Sequence, residues 1–430
     1  MAKTYHIVTF GCQSNLADSE RIASVIENAG LKYIENKEKA DILIFNTCSV
    51  RQKAEDRVFG YKKEVEKLKI GNKKLKIVLT GCMMHYSEKE LKRRLPSIDV
   101  FIDIKEIATL PKLLKIKIKN VRHPMSSIED DYLNLEPKYT SKFSANIPIS
   151  YGCNNFCTYC IVPYSRDREY SRSAKDIIEE AKKLIEKGYK EIWLLGQNVN
   201  SYNYNGFKFS ELLREINAIP GDFWIRFASP HPKDFSNDTI KAMKESKKFV
   251  HYINLPAQSG DNKILKKMNR PYTALHYKKL VEKIRKEIPD ISLSTDIIVG
   301  FPGETKDQFK NTKNLFRDIE FDMAFLSEYS PRPGTASTMV MKDDVPHREK
   351  ENRKNSLNNI LIKTALKNNK KLKGKTIRVL IDKKNKGSFW GRTEGNKLVE
   401  IRPSAKIRIG EFKDITITAI SPWRLKGKIK

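Results

Sequence analysis

The chain has 430 residues, of which 39% are hydrophobic, and no apolar run approaches the ~20 residues of a membrane-spanning helix. This length predicts two to four domains, and the hydrophobic content is enough for real cores. Because the long apolar run is absent, a membrane partner is excluded, and we expect a cytoplasmic protein. Lys and Arg number 82 against 52 Asp and Glu, giving a formal net charge of +30. That excess favours a polyanionic partner such as nucleic acid, although a lysine-rich solvated surface gives the same count.

Residues 3–118 alternate β-branched runs with amphipathic stretches, which predicts a doubly wound parallel sheet. Cys12 follows the first predicted strand (YHIVTF), Cys48 the second (DILIFN) and Cys82 the third (KIVLTG), each in a strand-to-helix turn. Because such turns share one edge of an open parallel sheet, the three thiols are predicted to converge and hold an iron–sulfur cluster. Ordinary buried cysteines are the alternative.

Residues 119–143 carry Pro, Ser and an acidic patch without strong periodicity, and they are predicted to be a linker. Residues 144–370 then contain six further strands separated by helices, which predicts a partial (β/α)6 barrel, a TIM-like barrel lacking two units. Polar residues gather at the strand ends, where a parallel barrel has its active face. These residues are Gln197, Asn198, Ser229, His231, Gln258, Ser259 and the stretch from Gly300 to Glu304.

Cys153, Cys157 and Cys160 follow the first strand of this barrel in a Cys-x-x-x-Cys-x-x-Cys motif. The spacing suits a four-iron cluster that leaves one iron without a protein ligand. A zinc site is the alternative, but it normally takes a fourth Cys or His, and the nearest histidines in sequence, His123 and His231, are distant. A disulfide framework is disfavoured, because six cysteines are few for this length and the start MAKTYHIVTF resembles no secretory leader.

Residues 371–430 change to short strands, which predicts a small all-β, OB-like barrel after a polar helix at 346–371. The five predicted strands are KTIRVLID, GSFWGRT, KLVEIR, AKIRIG and ITITAIS. The segment holds 17 Lys or Arg against 5 Asp or Glu, with aromatic residues between them. Aromatic faces beside cations are typical of single-stranded RNA binding, and packing in the barrel core is the alternative. The predicted RNA-contacting residues are Arg392, Phe389, Trp390 and Arg424.

Four strings carry a resemblance to a known family: YGCNNFCTYC at 151–160, NTCSVR at 46–51, GQNVNSY at 196–202 and YSPRPGT at 329–335. Together with the strand-end cysteines and the basic terminal module, they make the whole chain resemble the radical S-adenosylmethionine methylthiotransferases of the MiaB type. The cysteine motif alone identifies a large superfamily, whereas NTCSVR and GQNVNSY are more specific. The resemblance implies an α/β chain with an N-terminal methylthiotransferase domain (3–118), a radical domain (144–370) and a C-terminal TRAM domain (371–430).

The activity implied by the resemblance is insertion of sulfur at C2 of N6-isopentenyladenosine 37 in tRNA, followed by methylation. Implied cofactors are two [4Fe–4S] clusters, one on each cysteine trio, and two molecules of S-adenosylmethionine per product. Implied partners are the tRNA anticodon loop and an electron donor such as flavodoxin or ferredoxin, and we expect a monomer. The cofactor carries the radical, so no side chain is assigned a catalytic role. The residues implied to bind S-adenosylmethionine are Tyr159, Gly196, Gln197, Ser229, Gln258, Gly300 and Glu304.

One residue departs from the family pattern: Asp167 stands in the string SRDRE where the family has glycine. Asp is among the better replacements for glycine at positive φ, so the loop is expected to survive. An added carboxylate near bound RNA would weaken phosphate contacts.

Two other functions stay open. A methylthiotransferase acting on N6-threonylcarbamoyladenosine 37, or on a ribosomal-protein aspartate, would share all six cysteines. From a different class, an iron–sulfur RNA-binding redox sensor would need no catalysis.

Overall fold

The computed structural model describes residues 3–49, 52–116, 132–403 and 406–430. The chain packs into two units. The N-terminal unit comprises Met1–Thr140, Tyr151–Asn154 and Cys160–Arg172, and the C-terminal unit comprises Ser141–Ser150, Asn155–Tyr159 and Ser173–Lys430. Most of the predicted linker, up to residue 131, and Val50 and Arg51 of the NTCSVR string lie outside the described residues.

The N-terminal unit is built on a five-stranded, fully parallel sheet in the order β2-β1-β3-β4-β5. Its strands are β1 Thr4–Thr9, β2 Lys32–Tyr33, β3 Ile42–Thr47, β4 Lys76–Gly81 and β5 Val100–Phe101. The central strand β3 is buried along its whole length, as expected for a parallel strand covered on both faces. This confirms the predicted parallel-sheet fold and adds two short edge strands, β2 and β5.

Helices cover both faces of this sheet. Their bounds are α1 Gln13–Asn28, α2 Gln52–Gly60, α3 Lys62–Gly71, α4 Glu88–Arg94 and α5 Leu110–Leu113. A further short helix, α6 Val162–Ser165, lies in the Cys160–Arg172 segment. Two hydrophobic cores result, one containing Ile44 with Ile22 and Val78, the other containing Leu43 and Phe45. Successive residues of β3 thus point to opposite cores, as strand geometry requires.

Two-residue strands, β7 Ser150–Tyr151 and β8 Tyr170–Ser171, flank the cysteine loop in sequence. The C-terminal unit contains six parallel strands whose spatial order follows the chain, in two sheets linked by a bridge between Ile225 and Phe249. They are β6 Ser144–Pro148, β9 Glu191–Leu195, β12 Trp224–Phe227, β13 Tyr252–Asn254, β14 Ser292–Val299 and β15 Met323–Glu328. The predicted six-unit partial barrel is confirmed.

Helices α7–α12 connect these strands, and α13 and α14 follow them. Their bounds are α7 Ala174–Glu186, α8 Phe209–Ala218, α9 Asn237–Glu245, α10 Asn262–Lys267, α11 Ala274–Glu287, α12 Lys306–Ile319, α13 Ala336–Val340 and α14 His347–Lys370; a hairpin of β10 Asn203–Tyr204 and β11 Phe207–Lys208 precedes α8. The polar helix α14 is anchored by a buried stripe of Leu357, Leu361 and Ala365 at four-residue intervals. No described helix has the length and apolar character to cross a membrane.

The chain ends in a closed five-stranded barrel in the order β16-β17-β18-β20-β19. Its strands are β16 Thr376–Asn385, β17 Ser388–Thr393, β18 Leu398–Ile401, β19 Phe412–Ile420 and β20 Leu425–Ile429. The predicted barrel is present, but the prediction of one strand is wrong. The AKIRIG segment is not a strand over its described residues 406–410, and β20, which was not predicted, closes the barrel between β18 and β19.

Candidate metal centres

Cys12, Cys48 and Cys82 lie where three neighbouring strands end. Cys12 is the N-cap of α1, Cys48 follows β3 directly, and Cys82 begins a 3-10 turn directly after β4. Since β1, β3 and β4 are adjacent and parallel, all three residues lie at the carboxyl edge of the sheet. Cys48 and Cys82 are buried, whereas Cys12 is exposed.

The glycine of each Gly-Cys pair permits a close backbone approach. A Cβ on Gly11 would lie 2.7 Å from the Cβ of Cys48, and one on Gly81 would lie 2.5 Å from the carbonyl oxygen of Thr47. Gly81 also has φ +90, a conformation that favours glycine. The Gly-Cys pairs therefore bring the turns after β1, β3 and β4 together.

Buried amides and hydroxyls hold these turns in place. Asn15 Nδ2 donates to the Thr47 carbonyl at 2.9 Å, and Asn46 Nδ2 donates to the Asn15 carbonyl at 2.7 Å. Thr47 Oγ1 donates to the Thr80 carbonyl at 2.6 Å and accepts from the backbone N–H of Met83 at 3.2 Å. Asn46 and Thr47 of the NTCSVR string thus fix the turns that carry the cysteines.

A buried arginine that the sequence did not single out reaches Cys82. Arg166 donates from Nε to the sulfur of Cys82 at 3.3 Å and from Nη2 to Asp18, which also accepts from the Tyr132 hydroxyl. Its guanidinium lies 5.3 Å from the centre of the Tyr151 ring. Burial alone lowers the pKa of Arg166, but the charges of Asp18 and Cys82 outweigh burial and raise that pKa well above its ordinary value.

Backbone conformation defines the loop that carries the second trio. Gly152 has φ +79, and a Cβ there would lie 2.2 Å from the Arg168 carbonyl oxygen. The N–H of Cys153 donates to the Asp167 carbonyl at 3.2 Å. Asp167 itself has φ +57, the left-handed region that the family's glycine would occupy. Its carboxylate pairs with Lys105, an exposed contact.

A second buried arginine reaches Cys157 within the C-terminal unit. Arg270 Nη1 lies 3.6 Å from the Cys157 sulfur, and its other nitrogens donate to the Tyr272 hydroxyl and the Pro256 carbonyl. Asn269 Nδ2 donates to the carbonyls of Asn155 and Phe156, and the N–H of Thr158 donates to the Met268 carbonyl. Residues 268–270, which directly follow α10, therefore hold the middle of the cysteine loop.

The polar strand-end residues of the barrel form a strained rim. Ser229 and Gln258 have φ +59 and +65, which is uncommon for residues with a side chain. Buried polar groups almost always have hydrogen-bond partners. In the described part of the chain, four buried atoms beside this rim have none: Ser150 Oγ, Gln197 Oε1, Asn198 Oδ1 and His231 Nε2. These atoms suit a polar ligand.

Other rim residues have structural tasks. A Cβ on Gly196 would lie 2.5 Å from Ser150 Oγ. Glu304 accepts from the Gly300 N–H and from Arg353 at 2.7 Å each, and burial raises its pKa despite these contacts. Tyr159 packs edge-on against the ring of Phe301. The assignment of Tyr159, Gly300 and Glu304 to the cofactor stays a prediction.

His231 is held as a neutral side chain. Burial, together with the positive charges of Arg270 and Lys233, lowers its pKa to about 2. Its Nδ1 accepts from the Lys233 N–H and caps a short 3-10 turn. Arg332, in the YSPRPGT string, bonds through its backbone to the hydroxyls of Thr338 and Thr335.

The terminal barrel presents one cationic surface around an aromatic ring. Lys383 and Arg424 lie 5.8 and 5.9 Å from the centre of the Trp390 ring, and Arg392 and Arg424 expose about half of their side chains. Phe389 is different, because its side chain packs in the barrel core and does not belong to this surface. A contact between Phe389 and RNA stays a prediction.

The donor set fits iron–sulfur ligation. All six cysteines are free thiols, and a guanidinium donates to one buried sulfur of each trio, as suits thiolate ligands. Within the described residues, no three His, Cys, Asp or Glu side chains close around a single ion; a four-iron cube spreads its ligands more widely than one ion does.

Family models match three parts of the chain: the Radical SAM superfamily over residues 147–316, the uncharacterized protein family UPF0004 over residues 4–103, and the TRAM domain over residues 370–430. Among solved structures, the radical S-adenosylmethionine methyltransferase TsrM from Kitasatospora setae aligns with a TM-score of 0.58 over 79% of this chain and 77% of its own, at 14% identity. That likeness concerns the fold alone.

Curated relatives match over nearly the full length and carry the same name, tRNA-2-methylthio-N(6)-dimethylallyladenosine synthase. The protein from Thermoanaerobacter sp. (strain X514) is 43% identical over 99% of this chain and 92% of its own length. Those from Caldicellulosiruptor saccharolyticus and Clostridium tetani are each 41% identical over 99% of this chain, and over 92% and 96% of their own lengths. The chain therefore belongs to the tRNA-2-methylthio-N(6)-dimethylallyladenosine synthase family of radical S-adenosylmethionine enzymes.

Proposed function

We propose that this protein adds a methylthio group to C2 of N6-isopentenyladenosine 37 in tRNA. The observation that carries the proposal is full-length similarity to synthases of this name, combined with the two cysteine trios of this chain. One trio occupies a loop after the first barrel strand, and the other occupies three strand ends of a parallel sheet. Two trios match the two tasks, radical formation and sulfur donation.

Each trio is assigned one [4Fe–4S] cluster. Cys153, Cys157 and Cys160 would hold the radical cluster, and Cys12, Cys48 and Cys82 the auxiliary cluster. When bound, the clusters and two molecules of S-adenosylmethionine per product supply the one-electron, sulfur-transfer and methyl-transfer chemistry that side chains lack. Arg166 and Arg270 each donate a hydrogen bond to one sulfur of a trio, to Cys82 and Cys157 respectively, and a charged donor suits a thiolate ligand.

The barrel rim would orient S-adenosylmethionine. Gln197 Oε1 and Asn198 Oδ1 are acceptors without partners, and an ammonium group is a donor that suits them. His231 is neutral at physiological pH and adds no positive charge that would repel the cation. The strained backbones of Ser229 and Gln258 line the same rim.

The terminal barrel would bind the tRNA near its anticodon loop, through the cationic surface around Trp390. A small electron donor such as flavodoxin or ferredoxin would supply the electron. We propose that the protein acts as a monomer in the cytoplasm.

Nucleoside mass spectrometry of tRNA from a gene-deletion strain tests the function. The 2-methylthio mark on isopentenyladenosine should disappear, unmethylthiolated isopentenyladenosine should accumulate, and the wild-type gene should restore the mark. A Cys48→Ala gene should not restore it. Loss of the mark on threonylcarbamoyladenosine instead would assign the other tRNA substrate, and an unchanged nucleoside profile would leave a non-catalytic RNA-binding role.

A further inference from the structure

We propose that Arg166 is a positioning residue for the auxiliary cluster, whose reduction potential it raises. The inference rests on the proposed assignment of that cluster to Cys12, Cys48 and Cys82. It concerns a residue outside the cysteine set, and the contact that carries it is the hydrogen bond from Arg166 Nε to the Cys82 sulfur at 3.3 Å.

The surroundings of Arg166 hold its guanidinium in one orientation. The residue is 4% exposed, and its side chain is fixed by an ion pair with Asp18 and by the face of the Tyr151 ring. Asp18 is 1% exposed and is fixed in turn by the hydroxyl of Tyr132. Because a guanidinium fixed on several sides cannot turn away, the N–H group stays directed at the sulfur.

The positive charge of the Arg166 guanidinium affects how readily the cluster accepts an electron. A cluster bound by thiolates becomes more negative when it accepts an electron. A nearby positive charge and an N–H bond to a ligand sulfur both stabilise that reduced form, and hydrogen bonds to sulfur are among the factors that set cluster potentials. Arg166 should therefore raise the potential, and its loss should lower it.

Arg166 also follows the cysteines of the radical loop closely in the sequence. It lies six residues after Cys160, and the segment Cys160–Arg172 belongs to the N-terminal unit with Cys82. Helix α6 in this segment packs against the turn that carries Cys82. The segment that leaves the radical loop thus supplies the charged partner of an auxiliary-cluster ligand.

The test isolates the auxiliary cluster in a protein in which Cys153, Cys157 and Cys160 are all replaced by Ala. Iron content and the reduction potential, followed by electron paramagnetic resonance, are measured after anaerobic reconstitution. Arg166→Gln should lower the potential by about 59 mV or more, which is tenfold in the one-electron equilibrium constant. Arg166→Lys keeps the charge and should give a smaller shift.

Two further variants separate a cluster effect from damage to the fold. Arg166→Gln leaves Asp18 buried without its partner, which is costly, so the double variant Arg166→Gln with Asp18→Asn removes both charges. Its potential should still fall, but by less than in Arg166→Gln, because loss of the negative charge of Asp18 raises the potential in part. Arg21→Gln is the matched control: Arg21 is fully buried in the same unit and donates to the carbonyls of Ala17 and Leu133. The cluster in the Arg21→Gln variant should have the same reduction potential as the cluster in the parent, the protein that lacks only Cys153, Cys157 and Cys160.

Three different results would count against the inference. If the parent with Arg166 intact binds about four irons and the double variant has an unchanged potential, Arg166 only supports the fold. If the parent binds no cluster, the assignment of Cys12, Cys48 and Cys82 is wrong, and the inference falls with it. A shift of equal size in Arg21→Gln would also count against a specific role of Arg166.

Discussion

At the scale of single residues, the two cysteine trios share one structural feature, a buried arginine beside a cysteine sulfur. Arg166 and Arg270 are both buried, and each donates to a cysteine sulfur, Cys82 and Cys157 respectively. An arginine does not lose its proton inside a protein, so it is a permanent positive partner for a thiolate. A lysine in the same place would shift its pKa on burial and hold its charge less securely.

His231 gives a pH dependence at the residue scale. Its folded pKa of about 2 lies far below the unfolded value near 6.5. Between these values the unfolded chain binds a proton that the folded chain does not, so stability falls as the pH drops below 6.5. For this residue alone, the free energy of unfolding should fall by about 1.4 kcal/mol from pH 7.5 to 5.5.

Urea denaturation of wild type and His231→Asn at both pH values measures this contribution. The variant should lose less stability than wild type over the interval, by about 1.4 kcal/mol, because it has no imidazole to protonate. Equal losses in the two proteins would mean that folding does not lower the pKa of His231.

The arginines show what sequence reasoning could not reach. The radical and strand-end cysteines are predictable because their motif spacing and their places after strands are local properties. Arg166 lies in the string VPYSRDREYSR, yet its partners Cys82 and Asp18 are 84 and 148 residues away in the chain. No local pattern marks such a pairing. The left-handed backbone of Asp167, by contrast, was foreseeable from the glycine that the family has there.

At the scale of elements, the strand-to-helix turns depend on glycine. Gly81→Ala should destabilise the N-terminal unit by about 2–4 kcal/mol, since a left-handed conformation with a side chain and a clash both cost free energy. The clash is with the Thr47 carbonyl, next to Cys48, so iron bound by the auxiliary trio should also fall.

Gly30→Ala is the matched control for Gly81→Ala. Gly30 has the same φ of +90, but a Cβ there would meet nothing within 4 Å. It should lose only about 1 kcal/mol and no iron. Thermal melting of the apoprotein and iron analysis of the reconstituted protein lacking Cys153, Cys157 and Cys160 provide both readouts. Similar iron loss in the two variants would show that backbone strain, not the clash, disturbs the site.

The terminal barrel shows where element prediction failed. AKIRIG alternates apolar and polar residues, but Gly410 adopts φ +87 within this segment, which serves as a connection that buries Ile407 in the core. The segment LKGKIK has the composition of a solvated lysine-rich tail. Its alternate residues Leu425 and Gly427 are buried, and this short strand completes a barrel whose closure is a non-local property.

At the scale of the whole molecule, the terminal barrel is fixed to the partial barrel inside the C-terminal unit. Arg226, 1% exposed, donates to Glu191 at 2.6 Å and to the carbonyls of Thr393, the last residue of β17, and Glu394, which follows it. The rings of Trp224 and Phe412 also meet across this junction, 4.7 Å apart. An RNA bound to the terminal barrel would therefore be held at a set distance from the rim.

The net charge of +30 promotes RNA binding at a defined site only where positive side chains are concentrated on one surface. Replacing Lys383, Arg392 and Arg424 together by Gln should weaken binding of an anticodon stem-loop roughly tenfold at physiological salt. The slope of log affinity against log salt should become shallower by about two, because each phosphate contact contributes about 0.7–0.9. Fluorescence anisotropy over a salt series measures both quantities.

The matched control removes the same charge elsewhere. Lys175, Lys182 and Lys183 are exposed on α7, and their replacement by Gln lowers the net charge equally. If the surface around Trp390 is the binding site, this control changes affinity little and leaves the slope nearly intact, because screening weakens distant charges beyond about 8 Å at physiological salt. Equal effects of the two triple variants would instead mean that the whole cationic surface attracts RNA without a defined site on the terminal barrel.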